Sequence, residues 1–243
     1  LVTGASSGIG AATALAVAEQ GAAVAVAARR KDRIDALAAR ITDAGGTALA
    51  IEADVGSQEQ AKAVVEQTVA GLGRLDTLIN NAGVMLLGPI VDAPLEEWER
   101  MIGVNVQGLL YCAHAALPHL LSAAQDSPRR VADMVNISSV AGRVARSGSG
   151  VYNLTKWGVG AFSESLRQEV TRRHVRISLV EPGAVATELV SHNRPEIREQ
   201  MAGRDDFEKM EPEDIADAIV YIVTRPSRMA VNEVLIRPTE QER

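Results

Sequence analysis

Tyr152 and Lys156 stand four positions apart in a segment patterned as a helix, which puts both on one face. A free phenol titrates near ~10 and is a poor base at neutral pH. An ammonium beside it favours the phenolate, so the pair can give a proton to a carbonyl oxygen or take one from an alcohol. Ordinary packing also produces such pairs, so their company matters. Asn136-Ile137-Ser138-Ser139 closes an apolar run upstream of the tyrosine, and Asn80-Asn81-Ala82-Gly83 closes another. Asn105 lies mid-helix in Val104-Asn105-Val106.

A second constellation opens the chain, running Leu1-Val2-Thr3-Gly4-Ala5-Ser6-Ser7-Gly8-Ile9-Gly10. In a strand, glycine turn and helix arrangement, Gly4 permits the turn, Gly8 lets a pyrophosphate approach, and Gly10 lets the helix pack close. The N–H groups of the Gly4, Ser6, Ser7, Gly8, Ile9 and Gly10 stretch and the helix dipole then favour phosphates. The spacing is GxxxGxG, not the commoner GxGxxG. Gly4 to Gly8 also satisfies GxSxG, the nucleophile elbow of hydrolases, with Ser6 as nucleophile. That elbow follows earlier strands and an oxyanion loop, whereas nothing precedes it here, so a dinucleotide site is the better expectation.

Arg29-Arg30-Lys31 follows the second apolar run, where an NAD site places an acid for the ribose 2′-hydroxyl. A guanidinium can instead bond a 2′-phosphate through two parallel hydrogen bonds, so the sequence favours NADP(H). A solvated helix start is the plainer explanation, but three cations at a helix N-terminus oppose its dipole. Asp54-Val55 closes the third run; Asp54 could accept from an adenine amino group or cap the next helix.

These residues require a scaffold. Strands are expected at Leu1–Thr3, Ala22–Ala28, Thr47–Ala53, Leu75–Asn80, Val131–Ile137, Val175–Val180 and Val234–Ile236. Helices are expected near 9–20, 31–44, 57–71, 95–124, 151–173 and 212–224. Most strands are continuous apolar runs, as in parallel sheets covered on both faces. The alternation predicts one domain over 1–243, an α/β, Rossmann-type, doubly wound parallel sheet of seven strands flanked by helices on both faces. Ser191–Met210 is polar and charged, a candidate lid in a substrate loop spanning about 187–211, or else a plain surface helical hairpin.

Taken together, Thr3–Gly10, Asn80–Gly83, Asn105, Ser139, Tyr152 with Lys156, and Pro182-Gly183-x-Val185-x-Thr187 resemble the short-chain dehydrogenase/reductase family over nearly the whole chain. The resemblance implies that Tyr152 is the acid/base and that Lys156 lowers its pKa and bonds the nicotinamide ribose. It implies that Ser139 orients a substrate carbonyl and that Asn105 holds a water leading to Lys156. Asn81, Ala82, Gly83, Pro182, Gly183, Val185 and Thr187 would line the cofactor site. Arg29 and Arg30 look like those of NADP-preferring members. Asn81–Pro89 and Ile236–Thr239 are similar to a bacterial branch of NADP-linked aldehyde reductases and hydroxy-acid dehydrogenases. A homotetramer, or a dimer, is implied as well. The start of the first strand is missing relative to the family pattern, which suggests a trimmed N-terminus.

Lys plus Arg is 25 and Asp plus Glu is 31, a net charge of −6 that argues against nucleic-acid binding. No apolar stretch is long enough to cross a membrane and no signal peptide is visible, so a cytoplasmic location is expected. The one cysteine, Cys112, excludes an internal disulfide, and the scattered His114, His119, His174 and His192 argue against a metal. Arg143 and Arg146 lie between Ser139 and Tyr152, where they could meet an anionic substrate or simply face solvent. Met85, Leu86 and Leu87 could line a pocket or pack in the core. The expectation is an enzyme that interconverts a small carbonyl compound and its alcohol. The alternative is a sensor that binds NADP without turnover.

Overall fold

The computed structural model describes residues 1–91, 93–203 and 206–242. Its strands are β1 (Val2–Thr3), β2 (Ala23–Ala28), β3 (Thr47–Glu52), β4 (Thr77–Asn80), β5 (Ala132–Ile137), β6 (Val175–Pro182) and β7 (Glu233–Ile236). Its helices are α1 (Gly8–Glu19), α2 (Lys31–Asp43), α3 (Gln58–Leu72), α4 (Leu95–Ile102), α5 (Leu109–Asp126), α6 (Gly150–Val170), α7 (Pro195–Met201) and α8 (Pro212–Val223). The strands form one sheet in the order β3-β2-β1-β4-β5-β6-β7, with every pairing parallel. This is the doubly wound, Rossmann-type sheet that the alternation of apolar runs implies. Parallel neighbours need long crossovers, and the helices supply them.

Side chains alternate across the sheet and divide the core in two. Val24, Val26 and Ala28 of β2 pack with Ile34, Leu37 and Ile41 of α2 and with Ile215, Ile219 and Ile222 of α8. Ala25 and Ala27 face the other way, toward Val64 and Val65 of α3 and Ala113, Ala116 and Leu120 of α5. The small alanines on that face let helix and sheet approach closely. Cys112 is one of the buried small residues in this layer, and burial pushes its thiol up to about 12.

Register brings the functional segments to one edge. Ala28 pairs with Glu52, Asn80 with Asn136, and Ile137 with Val180, so the loops that follow these strands emerge side by side. Ligands of open α/β sheets bind beyond these carboxyl ends, where the order reverses between β1 and β4.

Two expectations need correction. The single helix expected near 95–124 is interrupted by a π-helical stretch, Gly103–Gly108, between α4 and α5. Its wider turn places Asn105 inward, and Gly108 leaves room for Val55, whose carbonyl oxygen would lie 3.1 Å from an added Cβ. Among its described residues, Ser191–Met210 holds one α-helix and not a helical hairpin: a 3₁₀ turn (Glu188–His192) leads into α7, and Met210 bridges Val185.

Candidate active site

At the carboxyl edge lies a cleft of about 820 Å³. Tyr152 and Lys156 lie on the first turns of α6, both buried, with the Lys156 Nζ 5.8 Å from the phenol ring centre. Lys156 donates to the Ile137 carbonyl at 2.9 Å, so the end of β5 fixes its height. Tyr152 shares a hydrogen bond with Ser139. Ser139 is in turn held at the start of a 3₁₀ turn, where its Oγ accepts from the Ala141 N–H at 3.1 Å.

The electrostatics differ from the simple expectation that Lys156 lowers the phenol. Burial pushes Tyr152 up to about 12, opposed by its hydrogen bond with Ser139. Burial also pulls Lys156 down to about 8. Desolvation is the largest influence on both groups, and it keeps the phenol protonated at neutral pH.

Asn105 lies behind the cleft wall. Its Oδ1 accepts from the Val84 N–H and its Nδ2 donates to the Val84 carbonyl, both at 2.8 Å, and Nδ2 also reaches Thr155 Oγ1 at 3.2 Å. The side chain thereby ties the loop after β4 to α6. Gly83 lies between Asn105 and Lys156: an added Cβ would be 3.4 Å from Asn105 Oδ1 and 3.8 Å from Lys156 Nζ.

The glycine-rich opening forms the other half of the cleft. Gly4 has φ +65°, and an added Cβ would lie 2.7 Å from the Ala82 Cα. A Cβ on Gly10 would run into the Asn81 amide and the Gly4 carbonyl, so Gly10 packs the helix and lies behind the wall. Gly8, at φ +54°, keeps open the gap across to Thr187, whose Cγ2 would be 3.0 Å from a Cβ. Ser7 begins α1, yet its hydroxyl accepts Arg30 Nη2 at 2.7 Å instead of capping the helix. The first-turn N–H groups therefore face the cleft without a side-chain cap. Ser6 Oγ accepts Arg30 Nε at 3.1 Å and Nη2 at 2.9 Å. It is an anchor for a cation, not a nucleophile beside a base, which removes the hydrolase reading.

Arg29 and Arg30 are not equivalent. Arg30 lies over the serines of the loop, whereas Arg29 reaches toward Asp54 at 3.9 Å. Lys31 is neutralised by Asp35 one turn on, so α2 does not begin on three free cations. Asp54 does not cap α3; Ser57 does, accepting the Gln60 N–H. Asp54 instead accepts the Gly56 N–H at 3.0 Å and lines the cleft with Val55.

The model of the short chain dehydrogenase family matches residues 1–198. The chain belongs to that family. It is 36% identical over 244 residues to an oxidoreductase of unassigned activity from Staphylococcus saprophyticus, covering 99% of this chain and 96% of that one. Among solved structures it resembles the closed form of a serine dehydrogenase complexed with NADP⁺, with TM-score 0.89 and 29% identity over 100% of this chain and 95% of the other. It also resembles a 3-ketoacyl-(acyl-carrier-protein) reductase from Brucella melitensis complexed with NADH, with TM-score 0.83 and 28% identity over 97% and 94%. The chain is thus an oxidoreductase of the short-chain dehydrogenase family.

In this short-chain dehydrogenase, Ser139, Tyr152, Lys156, Ile9, Ala82, Gly83, Pro182, Gly183, Val185 and Thr187 all line the cleft. Asn81 lines it as well, but its amide is held by the Thr3 and Gly4 carbonyls, so it positions the glycine loop. Met85 and Leu87 face the cleft, while Leu86 is buried against Met101. Arg146 lies on the cleft wall; Arg143 is taken up by Glu181 and Glu233. Among the described residues, no group of three or more His, Cys, Asp or Glu side chains could hold a metal.

Four residues to which the sequence assigned no individual role also shape the cleft. Buried Thr3 accepts the Asn81 and Ala82 N–H groups at 3.1 Å each, which joins β1 to the loop after β4. Buried Asn193 accepts the Leu87 N–H at 2.7 Å and donates to the Met85 and Val190 carbonyls at 3.0 Å. Asn153 holds the Ala141 and Val144 carbonyls at 2.6 and 2.9 Å. His192, isolated in the sequence, is carried to the cleft wall by the 3₁₀ turn. A lone Asn, Thr or His has no pattern that marks it; only the chain's path brings each one near the cleft.

Proposed function

We propose that this short-chain dehydrogenase interconverts an aldehyde or ketone and its alcohol, using NADP(H), with Tyr152 as the acid/base. The observation that carries the reading is the Tyr152 phenol hydrogen-bonded to Ser139 in the cleft, with the Lys156 ammonium beside its ring. A bound nicotinamide supplies the hydride. Ser139 orients the carbonyl, and Tyr152 gives its proton to the oxygen as the alcohol forms. The phenolate left behind develops beside the Lys156 ammonium, which stabilises it. Gly83 keeps the space between Asn105 and Lys156 open, where a water can pass a proton inward.

The residues fit a dinucleotide. Gly8 and the uncapped first turn of α1 suit the pyrophosphate, and Arg30 over Ser6 and Ser7 suits a 2′-phosphate. Of the two similar solved structures, one carries NADP⁺ and the other NADH, so the preference for NADP rests on Arg30 and its surroundings. Exposed Leu154 and Trp157 on α6 support the assembly of copies into a homotetramer, for which sedimentation should give about four times the monomer mass.

The test is titration of wild type and Tyr152→Phe with NADPH and NADH, then a carbonyl panel followed at the nicotinamide absorbance. Turnover should fall about 10²- to 10⁴-fold in the variant while NADPH binding holds. Turnover retained in Tyr152→Phe would overturn its assigned role. Tight binding with no carbonyl turned over by wild type would favour the sensor instead.

A further inference from the structure

Two guanidiniums, that of Arg30 on the cleft wall and that of Arg33 beside it, converge on one carboxylate, that of Glu188. Arg30, at the start of α2, places Nη1 2.8 Å from Glu188 Oε2, and Arg33, one turn on, places Nη1 2.6 Å from Oε1. Glu188 opens the 3₁₀ turn after β6, next to Thr187, and lines the cleft with Arg30. The other two nitrogens of Arg30 are fixed on Ser6 and Ser7. Arg30, braced on Ser6 and Ser7, and Arg33 therefore form an anion site whose Nη1 donors already serve an internal anion. Hydrogen bonds from Arg33 and Arg30 hold the Glu188 carboxyl down to about 2, so it is an anion at any working pH.

The side chains of Arg30, Arg33 and Glu188 are 38–44% exposed, so the ion pairs contribute little to folding. Their effect is on the local field. With Glu188 present the two guanidiniums carry a net charge of about +1, and without it about +2. A phosphate monoester brings a charge of about −1.5 to −2 and three strong acceptor oxygens to those donors. It must displace the carboxylate or sit beside it, and either costs affinity. A cofactor with a 2′-hydroxyl in place of the phosphate meets no such opposition.

We infer that Arg33 is a second 2′-phosphate-binding cation beside Arg30, and that Glu188 masks the pair and sets how strongly the protein prefers NADP(H) over NAD(H). This rests on the NADP reading above, but its test is separate. The experiment measures dissociation constants of wild type, Glu188→Gln and Arg33→Gln for NADPH, NADH, adenosine 2′-monophosphate and adenosine 5′-monophosphate, at low and high salt.

Removing the charge of Glu188 should tighten NADPH and the 2′-monophosphate about fivefold at low salt and less at high salt. NADH and the 5′-monophosphate should stay unchanged within about twofold. Arg33→Gln should weaken the same two ligands about fivefold. Unchanged or weaker NADPH binding in Glu188→Gln would overturn the masking role. Weaker NADH binding in that variant would overturn it too, by showing that Glu188 bonds the 2′-hydroxyl. A wild type that does not prefer NADPH, with a Glu188→Gln that does, would discard the NADP preference and keep the mask.

Discussion

At the residue scale, burial sets the protonation of the Tyr152–Lys156 pair. Tyr152, pushed up to about 12, stays a proton donor across the neutral and mildly alkaline range. Lys156, pulled down to about 8, loses its charge inside that range. In the proposed carbonyl reduction the ammonium would stabilise the phenolate that forms, so the pH dependence is expected to follow the lysine and not the tyrosine. The reduction rate should fall as pH rises through about 8, with no separate loss from the phenol below about 10. Lys156→Met should be slow at every pH and lack the step near 8. A step near 8 that persists in Lys156→Met would show that another group titrates there.

At the element scale, short loops are held over the cleft by side chains that imitate a strand partner. Asn193 binds Met85, Leu87 and Val190 through backbone groups, joining the 3₁₀ turn after β6 to the loop after β4. Removing a buried amide with such partners costs about 2 kcal/mol locally. Asn193→Ala should release the turn and α7, so trypsin should cut after Arg198 faster than in wild type (the Arg194–Pro195 bond resists trypsin), and the KM for the carbonyl substrate should rise. Equal cleavage rates in both proteins would mean that packing of α7 alone holds this segment. The π-helical stretch is a second device of this scale. Asn105 sits at its inner face, reaching Val84 on one side and Thr155 on the other, where a regular helix would turn it by a different angle.

At the scale of the whole molecule, the edge of the sheet opposite the cleft is closed by charge. Arg176 of β6 pairs with Asp133 of β5 at 2.7 and 3.0 Å, and both are buried. The same guanidinium donates to the Val223, Arg225, Pro226 and Met229 carbonyls, fixing the passage from α8 to β7. Arg176→Ala leaves a buried carboxylate with only Arg129 beside it and should cost about 3 kcal/mol of stability in denaturant unfolding. The double change Arg176→Met with Asp133→Leu should recover part of that loss, because it removes both charges. A single variant as stable as wild type would show that water reaches Asp133.

The sequence by itself determined the alternating scaffold and the main points of the site. Short continuous apolar runs alternating with longer helical patterns fit parallel strands covered on both faces, and parallel strands place their following loops at one edge. Gly4, Gly8 and Gly10 were legible from the geometry of a strand, turn and helix, and helical spacing put Tyr152 and Lys156 on one face; the role of Ser139 came only from the family resemblance. The tertiary structure decided what depends on distant parts of the chain. It separated Arg30 from Arg29, removed Arg143 to Glu181 and Glu233, and brought Glu188 onto Arg30 across 158 positions. It also placed Asn193, Thr3 and His192 at or near the cleft and set the phenol higher and the lysine lower than their ordinary values. Hydrogen-bond partners, ion pairs and desolvation depend on which segments meet, and that is fixed by the packing of helices on the sheet, not by spacing along the chain.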